Sequence, residues 1–178
     1  FSDIRGFTTV SESGSPEDIV GMLNEYFTRM VDVVFAHKGT LDKFVGDMVM
    51  ALFGAPVDDP HHAEHAVDAA LAMVRELKGL NEKWAAEGRP TLDIGIGIST
   101  GETMMGNFGS VKRLEYTAIG RDVNLAARLC AAADGDQVLI SQDTYDLVAP
   151  LVVADELPPL KLKGIPGEVR CWNVRGLK

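Results

Sequence analysis

The chain has 178 residues, of which 46% are hydrophobic and 24% are charged, and its formal net charge is -9. A chain of this length buries enough surface for a core without disulfide or metal staples, so we expect one domain over residues 1–178. The acidic balance argues against a sequence-independent nucleic-acid binder, because such proteins need a basic surface. An anionic ligand must therefore be met by local cations, metal ions or backbone amides.

The two cysteines, Cys130 and Cys171, fall in a predicted helix and a predicted strand. This usage is typical of reduced, packed thiols and favours the cytoplasm over an oxidising compartment. No run of about 18 apolar residues predicts a membrane span, so we expect no direct membrane contact by this domain. The chain opens within a predicted strand and without an initiator Met. We therefore expect a module of a longer protein whose other parts supply regulation and, if present, a membrane anchor.

The first predicted strand, residues 1–4, places Asp3 near its end, and a turn with free amides follows over residues 5–8. Ser15 and Pro16 are typical of a helix N-cap and first helical position. The apolar residues after them recur at intervals of three and four, which predicts an amphipathic helix ending near Gly39.

Residues 39–53 predict a β-hairpin, because two apolar runs flank the turn-forming pair Gly46-Asp47. A second amphipathic helix begins near His61 and ends before Gly88. Asp3 and Asp47 thus each lie at the end of a predicted strand. Two such carboxylates, brought together, make a site for a hard divalent cation.

The second half predicts a strand with one buried face at 92–100, a projecting hairpin from 101 that returns as a strand at 114–119, and a helix at 120–132. A strand at 137–140, a helix at 141–148 and strands at 160–163 and 169–174 follow. The fold class is α+β, with a ferredoxin-like or palm-like split βαβ core, a mainly antiparallel sheet with helices on one face, and a C-terminal αβ extension.

Four motifs carry a resemblance to a known family. They are FSDIRGFT at 1–8, DKFVGD at 42–47, RLEYTAIGRDVNLAARL at 113–129 and LKLKG at 160–164. In this order they closely resemble the catalytic domain of class III nucleotidyl cyclases, and the bacterial adenylyl cyclases in particular. The resemblance covers nearly the whole chain.

The resemblance implies attack of the ribose 3′-oxygen of ATP on its own α-phosphorus, which yields cyclic AMP and pyrophosphate. Asp3, Asp47 and the Ile4 carbonyl would then bind two divalent cations, Mg²⁺ or Mn²⁺. The amides around Phe7 and Thr8 would cradle the β- and γ-phosphates.

Three further residues match the family's ribose- and phosphate-contacting positions. Arg128 matches the guanidinium that stabilises the transition state, and Asn124, one helical turn earlier, matches the residue that orients the ribose. Lys163 matches the lysine that contacts the triphosphate, with Lys161 as the other candidate.

Lys43 and Thr117 match the base-selecting positions. Lys43 donates to adenine N1 and Thr117 accepts from the 6-amino group, whereas guanylyl members usually place an acid where Lys43 stands. Animal membrane-bound adenylyl cyclases carry an aspartate where Thr117 stands. A hydroxyl both donates and accepts, so the threonine contact alone discriminates between adenine and guanine less sharply than an aspartate contact does.

The resemblance also implies a head-to-tail homodimer with two shared sites, in which Asp3 and Asp47 of one chain face the base, ribose and phosphate residues of the other. A guanylyl cyclase and a catalytically degenerate module that dimerises to transmit a signal are the alternatives. A palm-like nucleic-acid-binding module is opposed by the charge balance.

Overall fold

The computed structural model describes residues 1–178 and contains five helices and nine strands. In chain order the elements are β1 Ser2–Ile4, α1 Phe7–Glu12, α2 Pro16–Ala36, β2 Thr40–Val45, β3 Met48–Leu52, α3 His62–Ala86, β4 Ile94–Ile98, β5 Met104–Ser110, β6 Arg113–Ile119, α4 Arg121–Ala132, β7 Val138–Ser141, α5 Gln142–Val148, β8 Val152–Glu156 and β9 Cys171–Leu177. None of the helices is both long and apolar enough to span a bilayer.

Seven strands form one sheet in the order β2-β3-β1-β4-β7-β9-β8, and β5 and β6 form a separate two-stranded sheet. Within the large sheet only β4 and β7 run parallel. The first four strands have the split βαβ arrangement, because β1 lies between β3 and β4 and each half of the unit contains a helical connection. The predicted α+β class, its antiparallel sheet and its C-terminal extension are confirmed.

Helix α2 begins as its sequence predicts. The Ser15 hydroxyl accepts a hydrogen bond from the Asp18 amide at 3.2 Å, and Pro16 occupies the first turn. Phe35, which belongs to the apolar stripe in sequence, is 58% exposed, whereas Tyr26 is fully buried. The Tyr26 hydroxyl lies 3.3 Å from the Ser2 hydroxyl, so this polar side chain is satisfied inside the core.

The helices lie on both faces of the sheet, contrary to the expectation of one covered face. Helices α2 and α3 cover the face that carries Ile94, Ile96 and Ile140, while α4 covers the opposite face. Strand β4 is consequently buried on both sides, and the prediction of one buried face was wrong. Gly95 and Gly97 are the reason, since α4 approaches β4 closely where they have no side chain.

The C-terminal strands differ from the prediction. Residues 160–163 form no strand and contribute only a single bridge between Leu160 and Val169. Strand β8, Val152–Glu156, was not predicted, and it pairs with β9 on the side opposite β7. Pro158, Pro159 and Gly164 flank the apolar residues that suggested a strand, and they interrupt any longer ladder.

The turn predicted after β1 is shorter than expected, because α1 begins at Phe7. Gly6 precedes it in the left-handed conformation, with φ of 62°. The Arg5 amide is not free, since it donates to the Asp93 carbonyl at 2.8 Å. The amides of Phe7 and Thr8 fall in the first turn of the helix, where the geometry provides no intrahelical acceptor.

Substituting Gly97 tests the close approach of α4 to β4. A Cβ at Gly97 would collide with the Cys130 amide nitrogen and the Ala126 carbonyl oxygen. We expect Gly97→Ala to lower the free energy of unfolding by about 1–3 kcal/mol, measured by urea denaturation, because the helix must move away. Gly79→Ala is the control, since Gly79 is exposed in α3 with open space around it, and should stabilise by about 0.5–1 kcal/mol. An unchanged free energy of unfolding in Gly97→Ala would contradict the close packing of α4 on β4.

Candidate active site

The structure brings Asp3 and Asp47 together, as predicted. Ser2 pairs with Val49, so the end of β1 lies beside the tip of the β2–β3 hairpin, where Gly46 has φ of 61° and Asp47 follows. Burial, followed by the hydrogen bonding and the negative charge of Asp47, raises the pKa of Asp3 to about 6. The two carboxylates thus repel each other, and a cation between them would relieve that repulsion.

Arg5 partly neutralises this pair and was not among the predicted site residues. One guanidinium nitrogen donates to the Asp3 carboxylate at 3.2 Å and another donates to the Ala133 carbonyl at 3.0 Å. Its charge opposes the rise in the Asp3 pKa without cancelling it, because burial and Asp47 are larger causes. Period-two alternation places Arg5 on the same side as Asp3 and was the available sequence signal.

The donor set at this point suits a metal ion that is shared with a substrate. No group of three or more His, Cys, Asp or Glu side chains is placed to hold a metal by itself. Asp3, Asp47 and the adjacent backbone of Ile4 offer few oxygens. Mg²⁺ commonly binds through one or two carboxylates and completes its shell with water and phosphate oxygens, so the residues present fit such an ion.

Lys43 and Thr117 lie close together, on β2 and on β6. The Lys43 ammonium contacts the Glu115 carboxylate at 2.9 Å, and the Thr117 hydroxyl donates to the carboxylate of Asp42. Adjacent strand residues normally point to opposite faces, yet Asp42 and Lys43 both reach β6. The cause is a β-bulge, because the register with β3 shifts between Leu41 and Lys43 and leaves Asp42 without a partner.

Asn124 and Arg128 lie on the exposed side of α4, one turn apart, as predicted. The opposite side of the helix is buried through Leu125 and Leu129. Neither Asn124 nor Arg128 forms a side-chain hydrogen bond or ion pair within the chain, and none joins them to Asp3 or Asp47. The structure therefore leaves a guanidinium and an amide free at the surface.

The remaining predicted residues have less defined surroundings. Lys161 and Lys163 are both exposed in the loop between β8 and β9, and neither forms a hydrogen bond or ion pair, so the structure does not choose between them. Phe7 packs its ring against the main core, and Thr8 is exposed. Only the amides of these two residues are placed to meet an anion, at the start of α1.

A cavity of about 260 Å³ opens between β3, β4, α3 and the start of α4, and apolar side chains line most of it. None of the ten predicted site residues contributes to its lining. The predicted residues lie elsewhere, at the end of β1, on the β2–β3 hairpin, at the start of α1, on β6 and α4, and in the loop between β8 and β9.

Comparison with known proteins identifies the family. The family model described as "Adenylate and Guanylate cyclase catalytic domain" matches residues 1–176. Adenylate cyclase 1 of Rhizobium meliloti is 48% identical over 99% of this chain, and the chain spans 27% of that relative's length.

Two solved structures are similar over almost their whole length. The adenylyl cyclase CyaB from P. aeruginosa is 39% identical, with a TM-score of 0.94 over 99% of this chain and 94% of that one. The guanylyl cyclase Cya2 is also 39% identical, with a TM-score of 0.94 over 99% of this chain and 90% of that one. The family and the fold predicted from the motifs are confirmed, and this chain belongs to the adenylate and guanylate cyclase catalytic domain family of class III nucleotidyl cyclases.

Proposed function

We propose that this domain converts ATP to 3′,5′-cyclic AMP and pyrophosphate. The observation that carries the choice of ATP is the position of Lys43 and Thr117 side by side on β2 and β6. An ammonium that donates to N1 and a hydroxyl that accepts from an amino group match adenine. Guanine presents a donor at N1 and a carbonyl at position 6, which reverses both requirements. The similarity to Adenylate cyclase 1 and to CyaB supports the same choice.

The Asp3–Asp47 pair accounts for the metal requirement of the proposed reaction. These carboxylates and the Ile4 carbonyl would hold two divalent cations, Mg²⁺ or Mn²⁺. When bound, such cations lower the pKa of the ribose 3′-hydroxyl and neutralise the leaving pyrophosphate. Arg5 contacts Asp3, orients its carboxylate and partly compensates its negative charge.

Arg128 and Asn124 supply the remaining polar contacts. Negative charge accumulates on the α-phosphate oxygens as the 3′-oxygen attacks, and the free guanidinium of Arg128 would stabilise it there. Asn124, one turn away on α4, would hold the ribose in line for attack. Lys163 or Lys161 would contact the outer phosphates, together with the amides of Phe7 and Thr8.

We also propose a homodimer with two shared sites, which the same geometry supports. Lys43 and Asp47 are four residues apart on one hairpin, which is too close for one to contact the base and the other the phosphate-bound metal ions of the same nucleotide. The hairpin and the β5–β6 arm also expose several large apolar side chains, which suit an interface: Phe44, Val45, Met104, Leu114, Tyr116 and Ile119. Each site would combine Asp3 and Asp47 of one chain with the base, ribose and phosphate residues of the other.

A guanylyl cyclase is the second candidate, because Cya2 is as similar to this chain as CyaB is. Turnover by the purified domain distinguishes the two. With Mn²⁺ at high protein concentration we expect cyclic AMP from ATP, with kcat/KM at least tenfold above that for GTP. Preferred turnover of GTP would favour the guanylyl alternative. No cyclic product from either nucleotide would favour a degenerate signalling module.

Divalent cations should stabilise the wild-type domain through the carboxylate pair. At pH 8, above the Asp3 pKa of about 6, the Asp3 carboxyl is ionised and can bind a cation, so we expect Mn²⁺ to raise the melting temperature in a thermal-shift assay. Asp47→Asn removes one charge of the pair. This variant should melt higher than wild type without metal, because the repulsion is relieved, and should show little increase with Mn²⁺. Equal shifts in both proteins would contradict a metal site at Asp3 and Asp47.

Shared sites predict that two inactive variants complement each other. Arg128→Ala should lower kcat by about 10²–10³-fold, and Asp47→Ala should remove metal-dependent turnover. A mixed dimer of these variants has one site with both lesions and one intact site, so activity should return on mixing. Asp3→Ala mixed with Asp47→Ala is the control, because both lesions fall on the same half of a site and no intact site forms. Activity that does not return from a demonstrably mixed dimer would exclude sharing.

A further inference from the structure

We propose that Asp42 is a positioning residue that orients the Thr117 hydroxyl and thereby makes Thr117 an acceptor for the 6-amino group of adenine. This inference rests on the proposed function, because it concerns how that site selects ATP. In this proposal Asp42 contacts Thr117 and does not contact the base.

The contact itself is well defined. Thr117 is 7% exposed near the end of β6, and its hydroxyl donates to the Asp42 carboxylate on β2. The bulge at Asp42 is what turns this side chain towards β6, next to the Lys43–Glu115 ion pair. Thr117 and Glu115 are two residues apart and therefore project from the same face of β6. Lys43 on β2 is thus bonded to a carboxylate on β6, and Thr117 on β6 is bonded to a carboxylate on β2.

The direction of the Thr117–Asp42 hydrogen bond decides what Thr117 offers to a ligand. A hydroxyl has one proton and two lone pairs, and an ionised carboxylate accepts only. Once the proton of Thr117 is directed to Asp42, only lone pairs remain on the other side. A residue that otherwise donates or accepts equally well becomes a fixed acceptor.

A fixed acceptor distinguishes the purine bases at position 6. The 6-amino group of adenine donates to it, whereas the 6-carbonyl oxygen of guanine would meet lone pairs and lose its hydrogen bond. A site built to satisfy a buried hydrogen-bonding group rejects the analogue that leaves it unpaired. Asp42 thus restores to the threonine the selectivity that a free hydroxyl lacks.

The test uses two substrates that differ only in the 6-amino group. ATP carries it, and purine riboside triphosphate lacks it but keeps the N1 acceptor that Lys43 contacts. We expect Asp42→Ala to lower the ratio of kcat/KM for ATP to kcat/KM for purine riboside triphosphate about tenfold, and to increase relative turnover of GTP. Lys43→Ala is the comparison, since it should weaken both substrates and leave their ratio nearly unchanged.

A double-mutant cycle assigns the effect to the hydroxyl. Thr117→Val keeps the shape of the side chain and removes the group that Asp42 orients. Adding Asp42→Ala to Thr117→Val should therefore leave the ratio unchanged. A ratio that falls again in the Thr117→Val background would overturn the inference, because Asp42 would then act independently of Thr117. An equal loss for both substrates would also overturn it, because it would indicate a purely structural role.

The wild-type measurement separates failure of this inference from failure of the proposed function. Formation of cyclic AMP by the wild-type domain tests the function by itself. If no cyclic product forms, the proposed reaction is wrong, and the same ratio is then read from equilibrium binding of ATP and purine riboside triphosphate to the same variants.

Discussion

The insertion of β1 between β3 and β4 is the constraint on which the site depends. This strand has only three residues, and its partners come from far along the chain, at Val49 and at Ile94 to Ile96. The pairing forces Asp3 against the hairpin tip despite the repulsion from Asp47. The apolar contacts of the core and the ladder hydrogen bonds offset that repulsion, because β4 is buried and β3 contributes Val49 to the core. Strand pairing thus places Asp3 and Asp47 side by side, although they are distant in sequence and their carboxylates repel each other.

The β2–β3 hairpin extends this constraint to the recognition of the base. Its tip carries Asp47, and its bulge turns Asp42 and Lys43 together towards β6. A regular strand would point one of these two side chains away, so a single extra residue in the ladder creates the corner proposed to select the base. Gly46 supplies the left-handed turn that closes the hairpin at the end that carries Asp47. In the proposed function, the two ends of the hairpin would have different roles, one in metal binding and one in base selection.

Much of this arrangement could be predicted from the sequence, because its signals are local or periodic. The Ser15 cap, the alternation around Gly46-Asp47 and the i, i+4 spacing of Asn124 and Arg128 each follow from neighbours along the chain. The bulge at Asp42, the second covered face of β4 and the pairing of β8 with β9 depend on contacts between distant segments, and no local pattern indicates them. The apolar content of residues 160–163 predicts a strand, but the flanking prolines and glycine limit this segment to a single bridge.

The distribution of charge supports the proposal that two chains contribute residues to each site. The tip of the hairpin has the carboxylates of Asp3 and Asp47 beside Arg5, and its bulge has those of Asp42 and Glu115 beside Lys43, so both cations are already paired. A triphosphate would be repelled there unless metal ions and further positive groups approach. The free cations of the chain near the site motifs, Arg128, Lys161 and Lys163, lie on other elements and point to solvent. In the proposed dimer, the Asp3–Asp47 pair of one protomer would meet Arg128 and the loop lysines of the other, so these charges would compensate each other in a head-to-tail arrangement. The overall charge of -9 is therefore compatible with binding a highly anionic nucleotide in the proposed dimer, because the compensation would take place across its interface.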